Sequence, residues 1–137
     1  MVKVIVGLKG SGKTKKLVDL VSKAIAEEHG DVICIEKDRN LTFDIPYQAR
    51  LIYASEYQIG TFEFMKGFIS GLRAGNYDIS HIFIDNFHKM FNSSAEENVV
   101  DFLKWLESFA DSEGIKFTIT MTADPNDIGE EIKKYMM

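Results

Sequence analysis

Gly7-Leu8-Lys9-Gly10-Ser11-Gly12-Lys13-Thr14 decides how the rest of the chain is read. The stretch satisfies G-x-x-x-x-G-K-[ST] at every constrained position and follows directly on the apolar run Val4-Ile5-Val6. In that pattern glycines let the backbone curl, so that successive N–H groups converge on an anion. Lys13 then reaches the outer phosphates of a nucleotide, and the Thr14 hydroxyl is placed to ligate Mg²⁺. A helix starting here sets the positive end of its dipole beneath the phosphates. The expected phosphate-binding set is Gly7, Lys9, Gly10, Ser11, Gly12, Lys13 and Thr14. Within it Lys9 and Ser11 hold variable positions, and a solvated Lys9 is favoured over one touching phosphate.

Working outward, Val2 to Val6 reads as a short apolar strand of the kind buried on both faces of a parallel sheet. A helix is expected from Lys13 to about His29, with Leu17, Leu20, Val21, Ala24 and Ile25 at helical spacing and Gly30 as its stop. Asp31-Val32-Ile33-Cys34-Ile35-Glu36 reads as a second buried strand, which completes a βαβ unit with a right-handed crossover. Leu41–Ile45 and Ala49–Ala54 suggest two short strands, and Pro46 between them keeps at least one at an edge or in a loop. Phe62, Met65, Phe68, Ile69 and Leu72 mark an amphipathic helix from Thr61 to about Ala74, whose aromatic stripe reads as core packing.

His81-Ile82-Phe83-Ile84-Asp85 is a third buried strand ending in a carboxylate, at the strand end where open α/β sheets place their sites. From there Asp85 can share an Mg²⁺ shell with Thr14. Ser94 with Glu97 reads as a capping box opening a helix through Val99, Phe102, Leu103, Leu106, Phe109 and Ala110. Phe117 to Thr122 alternates as a fourth strand. Asp124-Pro125 then reads as a helix start, with Ile128, Ile132 and Tyr135 on the face of a short final helix.

The length of 137 residues and the absence of a linker or repeat point to one α/β domain spanning 1–137. Hydrophobic and charged fractions of 45% and 27% are those of a globular protein rather than a disordered one. A net charge of −5 gives no indication of nucleic-acid binding. The single cysteine, Cys34, excludes an internal disulfide or a cysteine-cluster zinc site, and its place in an apolar strand reads as packing. No apolar run approaches the roughly 20 residues of a membrane span, and a cytoplasmic setting is expected.

On this loop and on Asp85 the chain resembles the P-loop NTPase superfamily over most of its length. More specifically it is similar to the additional-strand, catalytic-glutamate division. That resemblance implies a three-layer sandwich whose mainly parallel sheet has the core order 1-4-3-2, with the Phe117–Thr122 strand inserted between the loop strand and the Asp85 strand. It further implies that a polar residue at the end of the inserted strand, Thr120 or Thr122, senses the γ-phosphate. One position departs from the pattern: Asn86 stands where the division places a water-orienting glutamate. An amide can hold a water but cannot take its proton. The stretch Val32 to Asp38 is similar to the acidic box of pilus-retraction (twitching-motility) and secretion ATPases, which implies a water-activating role for Glu36. Their preceding sensory domain and later histidine motif have no match here.

The implied catalytic set is Lys13, Glu36, Thr120 and Thr122, with Thr14 and Asp85 as metal ligands and ATP and Mg²⁺ as cofactors. Three functions are compatible. The first is an ATPase of weak or partner-stimulated activity, the partner being another protein or a second copy. The second is a nucleotide-gated switch that holds ATP without efficient hydrolysis. The third, a small-molecule or nucleoside kinase, ranks last because no arginine-rich lid is visible. A guanine-reading Asn-Lys-x-Asp motif is absent from the sequence. Spacing singles out none of Arg39, Arg50 and Arg73 as an arginine finger, and a surface place is expected for His88. Tyr53, Tyr57 and Phe87 read as packing residues before base-stacking ones.

Overall fold

The computed structural model describes residues 1–39, 44–91 and 95–137. Five strands form a parallel sheet: β1 (Val2–Gly7), β2 (Asp31–Glu36), β3 (Arg50–Tyr53), β4 (Ile79–Ile84) and β5 (Lys116–Thr122). Four helices join them: α1 (Lys13–Glu27), α2 (Phe62–Gly75), α3 (Glu96–Glu113) and the single turn α4 (Glu130–Lys133). Parallel neighbours need crossovers; α1, α2 and α3 lie in three of them, and the one from β2 to β3 has no helix among its described residues.

The sheet order is β1-β5-β4-β2-β3. It differs from the expected four-strand order by an added strand, β3, outside β2; the other four follow one another as loop strand, inserted strand, Asp85 strand and Glu36 strand. β3 pairs with β2 over four positions, from Ile33↔Arg50 to Glu36↔Tyr53. A four-residue strand carries too little periodicity to be read with certainty from sequence. Of the first of the two suggested strands, 41–43 lie outside the described residues. Pro46 sits in the turn ahead of β3, outside the sheet, and β3 is an edge strand.

The two faces of the sheet are covered differently. Leu17, Val21 and Ala24 of α1 pack on Val32, Cys34 and Phe83. The opposite face carries the larger core, in which Met65 and Ile69 of α2 and Val99, Phe102, Leu103 and Leu106 of α3 meet Ile33, Ile35, Ile82, Ile84, Phe117 and Ile119. Phe62, Phe87, Phe91 and Phe102 stack there with ring centroids 4.1–6.1 Å apart. The aromatic stripe of α2 is thus core material on its Phe62 side, and Phe87 is fully buried.

Helix ends depart from expectation in two places. The N-cap expected at Ser94 lies outside the described residues; α3 begins at Glu96, with Ala95 as its N-cap. Asp124-Pro125 does cap, the Asp124 side chain accepting from the Asn126 N–H, but it opens a short 3-10 turn, Pro125–Asp127, and the final helix is only the turn from Glu130. Ile128, Ile132 and Tyr135 are nevertheless all buried, as the spacing required.

Candidate functional site

Between β1 and α1 the chain makes the turn that the loop motif demands. Gly10 and Gly12 have φ of +84° and +85°, a left-handed conformation that a side chain disfavours, and Gly12 is the N-cap of α1. The Ser11 N–H bonds back to Leu8 O at 3.1 Å and the Lys16 N–H to Gly12 O at 3.0 Å, which closes the loop onto the helix start. Lys13, the first helical residue, is only 8% exposed. Its ammonium makes one hydrogen bond among the described residues, to Leu8 O at 3.4 Å. An ammonium has three donors, so two remain for an anion. Lys9 and Ser11 are exposed.

Parallel pairing brings the other expected residues to the same sheet end. β1 and β5 run in register from Val2↔Phe117 to Gly7↔Thr122, so the loop's first glycine lies beside the last residue of the inserted strand. β4 lies between β5 and β2, with Ile35↔Ile84 as its last pair with β2, and the Asp85 N–H bonds to Ile35 O at 2.9 Å. Glu36, the last residue of β2, and Asp85, just past β4, are therefore neighbours at the ends of adjacent strands. Glu36 is only 2% exposed, a buried carboxylate at its strand end.

Side-chain alternation sets which face each residue occupies. Phe83 belongs to the α1 face, so His81 and Asp85 do too; Phe117 and Ile119 belong to the other, so Thr118, Thr120 and Thr122 point toward α1. Each of these threonines bonds to β4 or the residues just after it. Thr118 Oγ1 meets His81 Nε2 at 2.8 Å. Thr120 Oγ1 donates to Asp85 Oδ1 at 2.6 Å and accepts the Asn86 N–H at 2.7 Å. Thr122 Oγ1 donates to Asn86 Oδ1 at 3.0 Å.

At the centre, Thr14 Oγ1 donates to the same Asp85 Oδ1 at 3.4 Å, a loose contact that joins the loop to the β4 end. Asn86 Nδ2 lies 3.5 Å from Asp85 Oδ2. Asn86 itself adopts φ +48°, a conformation that asparagine tolerates better than most residues. Thr14 and Asp85 fit a magnesium ion as an oxygen pair that leaves the other positions to phosphate and water, the usual arrangement for this metal. Among the described residues no group of three or more His, Cys, Asp and Glu is assembled that could cage a metal by itself.

Three of the four expected catalytic residues, Lys13, Glu36 and Thr120, are thus buried side chains at this end, and the Thr120 hydroxyl is bonded within the protein on both its donor and acceptor sides. Burial, joined by the Asp85 and Glu36 carboxylates, pushes the Cys34 thiol well above its ordinary range, which suits packing and not nucleophilic attack. Arg39 pairs with Glu56 and stacks 4.4 Å over the Tyr53 ring, and Arg73 bonds to Tyr77 O and lies 3.6 Å from Glu113. Tyr57 stacks on Phe68 at 5.6 Å.

His88 differs from its expected surface place. It is half-buried in the 3-10 turn Phe87–Met90, and its Nδ1 is buried without a hydrogen-bond partner among the described residues. Burial, then the charges of Lys89 and Lys13, hold its pKa below the ordinary value. A second buried histidine was not singled out by the sequence. His81 Nδ1 lies 3.0 Å from Glu28 Oε2, with Lys116 Nζ 3.6 Å from the same oxygen. Its alternation with Phe83 and Asp85 was the signal that could have placed it on the α1 face.

Neither a protein-family model nor a curated protein matches the chain.

Proposed function

We propose that the protein binds a magnesium–nucleoside triphosphate in the 7–14 loop and hydrolyses it slowly or on stimulation by a partner. The observation that carries this reading is the contact of Thr14 with Asp85, 71 positions apart in the chain, at the end of the sheet where Lys13 retains free donors. The fold supports it as a parallel α/β sheet flanked by helices, and the P-loop NTPase type is the finer reading we adopt. Backbone N–H groups of the loop and Lys13 would hold the phosphates, and Thr14 and Asp85 would hold the magnesium, which when bound neutralises charge on the transferring phosphoryl group. Thr120 orients Asp85 through its 2.6 Å bond. Glu36, buried and beside Asp85, is our choice for the base.

A second reading, the nucleotide-gated switch, is favoured by one specific bond. The carbonyl oxygen of Asn86 accepts from Thr122, which ties the amide to β5 and engages one of its two lone pairs, and an amide in the usual glutamate position cannot take a proton from a water. A kinase gains no comparable support, since Arg39 and Arg73 are held by Glu56 and Glu113.

Phosphate release by purified protein with magnesium and ATP separates these readings. Hydrolysis is expected to be slow, absent in Lys13→Ala and sharply lower in Glu36→Gln. Turnover that persists in Lys13→Ala would contradict the site. Undiminished turnover in Glu36→Gln would remove Glu36 as base. Magnesium-dependent binding without release under any condition would select the switch.

A further inference from the structure

At the other end of the sheet, under its exposed edge, lies a cavity of about 480 Å³. Its floor is Ile33 and Ile52 and its wall is Phe68, Leu72 and Tyr57, so most of what a ligand would touch is apolar or aromatic. The volume and the apolar lining are those of small-molecule sites. Asp31, Arg50 and Ile79, the first residues of β2, β3 and β4, also line it, and none of the 7–14 loop, Glu36 or Asp85 does. At about 3.3 Å of rise per residue, a six-residue strand separates the two sites by roughly 15–20 Å. The cavity is therefore not a place for a phosphoryl acceptor.

Two polar groups give it a direction. Arg50 lines the cavity, and no hydrogen bond or ion pair engages its side chain among the described residues. Asp31 is held in place: its Oδ2 accepts from Asn76 Nδ2 at 2.9 Å, while Asn76 Oδ1 accepts the Asp78 N–H at 2.9 Å. The other oxygen of Asp31 keeps acceptor capacity. Arg50 is the register partner of Ile33, two residues beyond Asp31 on the neighbouring strand, so the two backbone positions are offset by about 7 Å along the strand direction.

We propose that this cavity is a second ligand site, for a flat aromatic carboxylate that also carries an N–H donor. Its ring lies between Phe68 and the isoleucine floor, its carboxylate pairs with Arg50, and its donor bonds to Asp31. A planar guanidinium recognises a carboxylate in two-point fashion, which a neutral or cationic ligand cannot exploit.

Indole-3-acetate carries all three features and is the probe. Tryptamine retains ring and N–H but replaces the anion with a cation, and 1-methylindole-3-acetate loses only the donor. Titrated into the methyl-labelled protein without nucleotide, indole-3-acetate should shift the Ile33, Ile52, Ile79 and Leu72 methyl resonances saturably. Tryptamine should bind roughly tenfold more weakly or worse, and the methylated probe should be weaker by several-fold. Arg50 is exposed and has no side-chain partner among the described residues, so Arg50→Gln should fold normally, lose the advantage of indole-3-acetate over tryptamine, and leave tryptamine unchanged. The proposal is overturned by the absence of saturable shifts in the millimolar range, or by equal binding of the three probes. Shifts centred on the Leu8 methyls would also overturn it, because the anion would then be in the 7–14 loop. If indole-3-acetate shifts nothing and an extended Val/Thr peptide slows amide exchange in β3 instead, the edge docks a protein segment and the small-molecule assignment fails. None of these outcomes depends on whether the 7–14 loop binds nucleotide.

Discussion

The two faces of the sheet have been put to different uses. Facing α2 and α3, the strands present Ile33, Ile35, Ile82, Ile84, Phe117 and Ile119, closed over by stacked phenylalanines. Facing α1, the same strands present Glu36, His81, Asp85, Thr118 and Thr120, which with Lys13 are the six buried polar or charged residues among those described. Burying polar groups costs free energy unless they are hydrogen-bonded, and the β5 threonines supply those bonds from one neighbouring strand. The difference teaches that stability and chemistry are separable here: one face can be damaged without touching the site, and the other can be disarmed with little damage to the core.

The largest effect should come from the apolar face. Phe102→Ala removes a fully buried ring that touches Phe62, Phe87, Phe91 and Trp105 and should cost about 3–5 kcal/mol of stability in denaturant unfolding. Triphosphate affinity of the fraction that remains folded should be unchanged; a loss of affinity in proportion to stability would break the separation. Thr120→Val comes next. It removes the donor to Asp85 and the acceptor for the Asn86 N–H while keeping the shape, with an expected loss of about 1–3 kcal/mol. It should also blunt the magnesium dependence of nucleotide binding, which an ordinary strand threonine would not.

The smallest effect is one of pH. Burial holds His81 below its ordinary value of 6.5, against the pull of its Glu28 hydrogen bond, and burial likewise lowers His88. The unfolded chain therefore takes up protons first, so stability is present above about 6.5 and is lost as pH falls through that value, by at most about 1.4 kcal/mol per pH unit for each proton. The groups facing His81 are Glu28, Thr118 and, through Glu28, Lys116. Although burial opposes it, bonding to His81 lowers the Glu28 pKa, so its share is lost only as pH falls below about 4.5. Melting temperature followed between pH 7.5 and 5.5 should fall with pH in the wild type and be flatter in His81→Gln/His88→Gln. An equal slope in both would place the titrating groups elsewhere.

How far the sequence carried the reading depends on how local each signal is. The 7–14 loop is eight contiguous residues with a strict pattern, and Asp85 terminates an unbroken apolar run, so the turn of the one and the strand-end place of the other could be read directly. α1 and α2 follow from periodicity within single segments. The bonds that Thr120 makes to Asp85 and Asn86 span the sheet, at 34 and 35 positions of separation, and nothing within β5 announces them. A β-branched residue suits any strand, so Thr120 looks the same whether it packs or positions. The edge cavity was invisible for the same reason, its lining being drawn from β2, β3, α2 and β4. β3 fell between the two cases, four residues following a proline, too short for alternation to distinguish strand from loop.

The most direct measurement is calorimetric titration of ATP into the wild-type protein and Lys13→Ala, each with magnesium and with chelator. Wild type should bind in a magnesium-dependent manner. Lys13→Ala should keep its melting temperature and lose at least roughly tenfold in affinity, the equivalent of one charge-assisted hydrogen bond. Equal affinity in the two proteins, or binding by the wild type that is indifferent to magnesium, would contradict a triphosphate site built from the loop, Thr14 and Asp85.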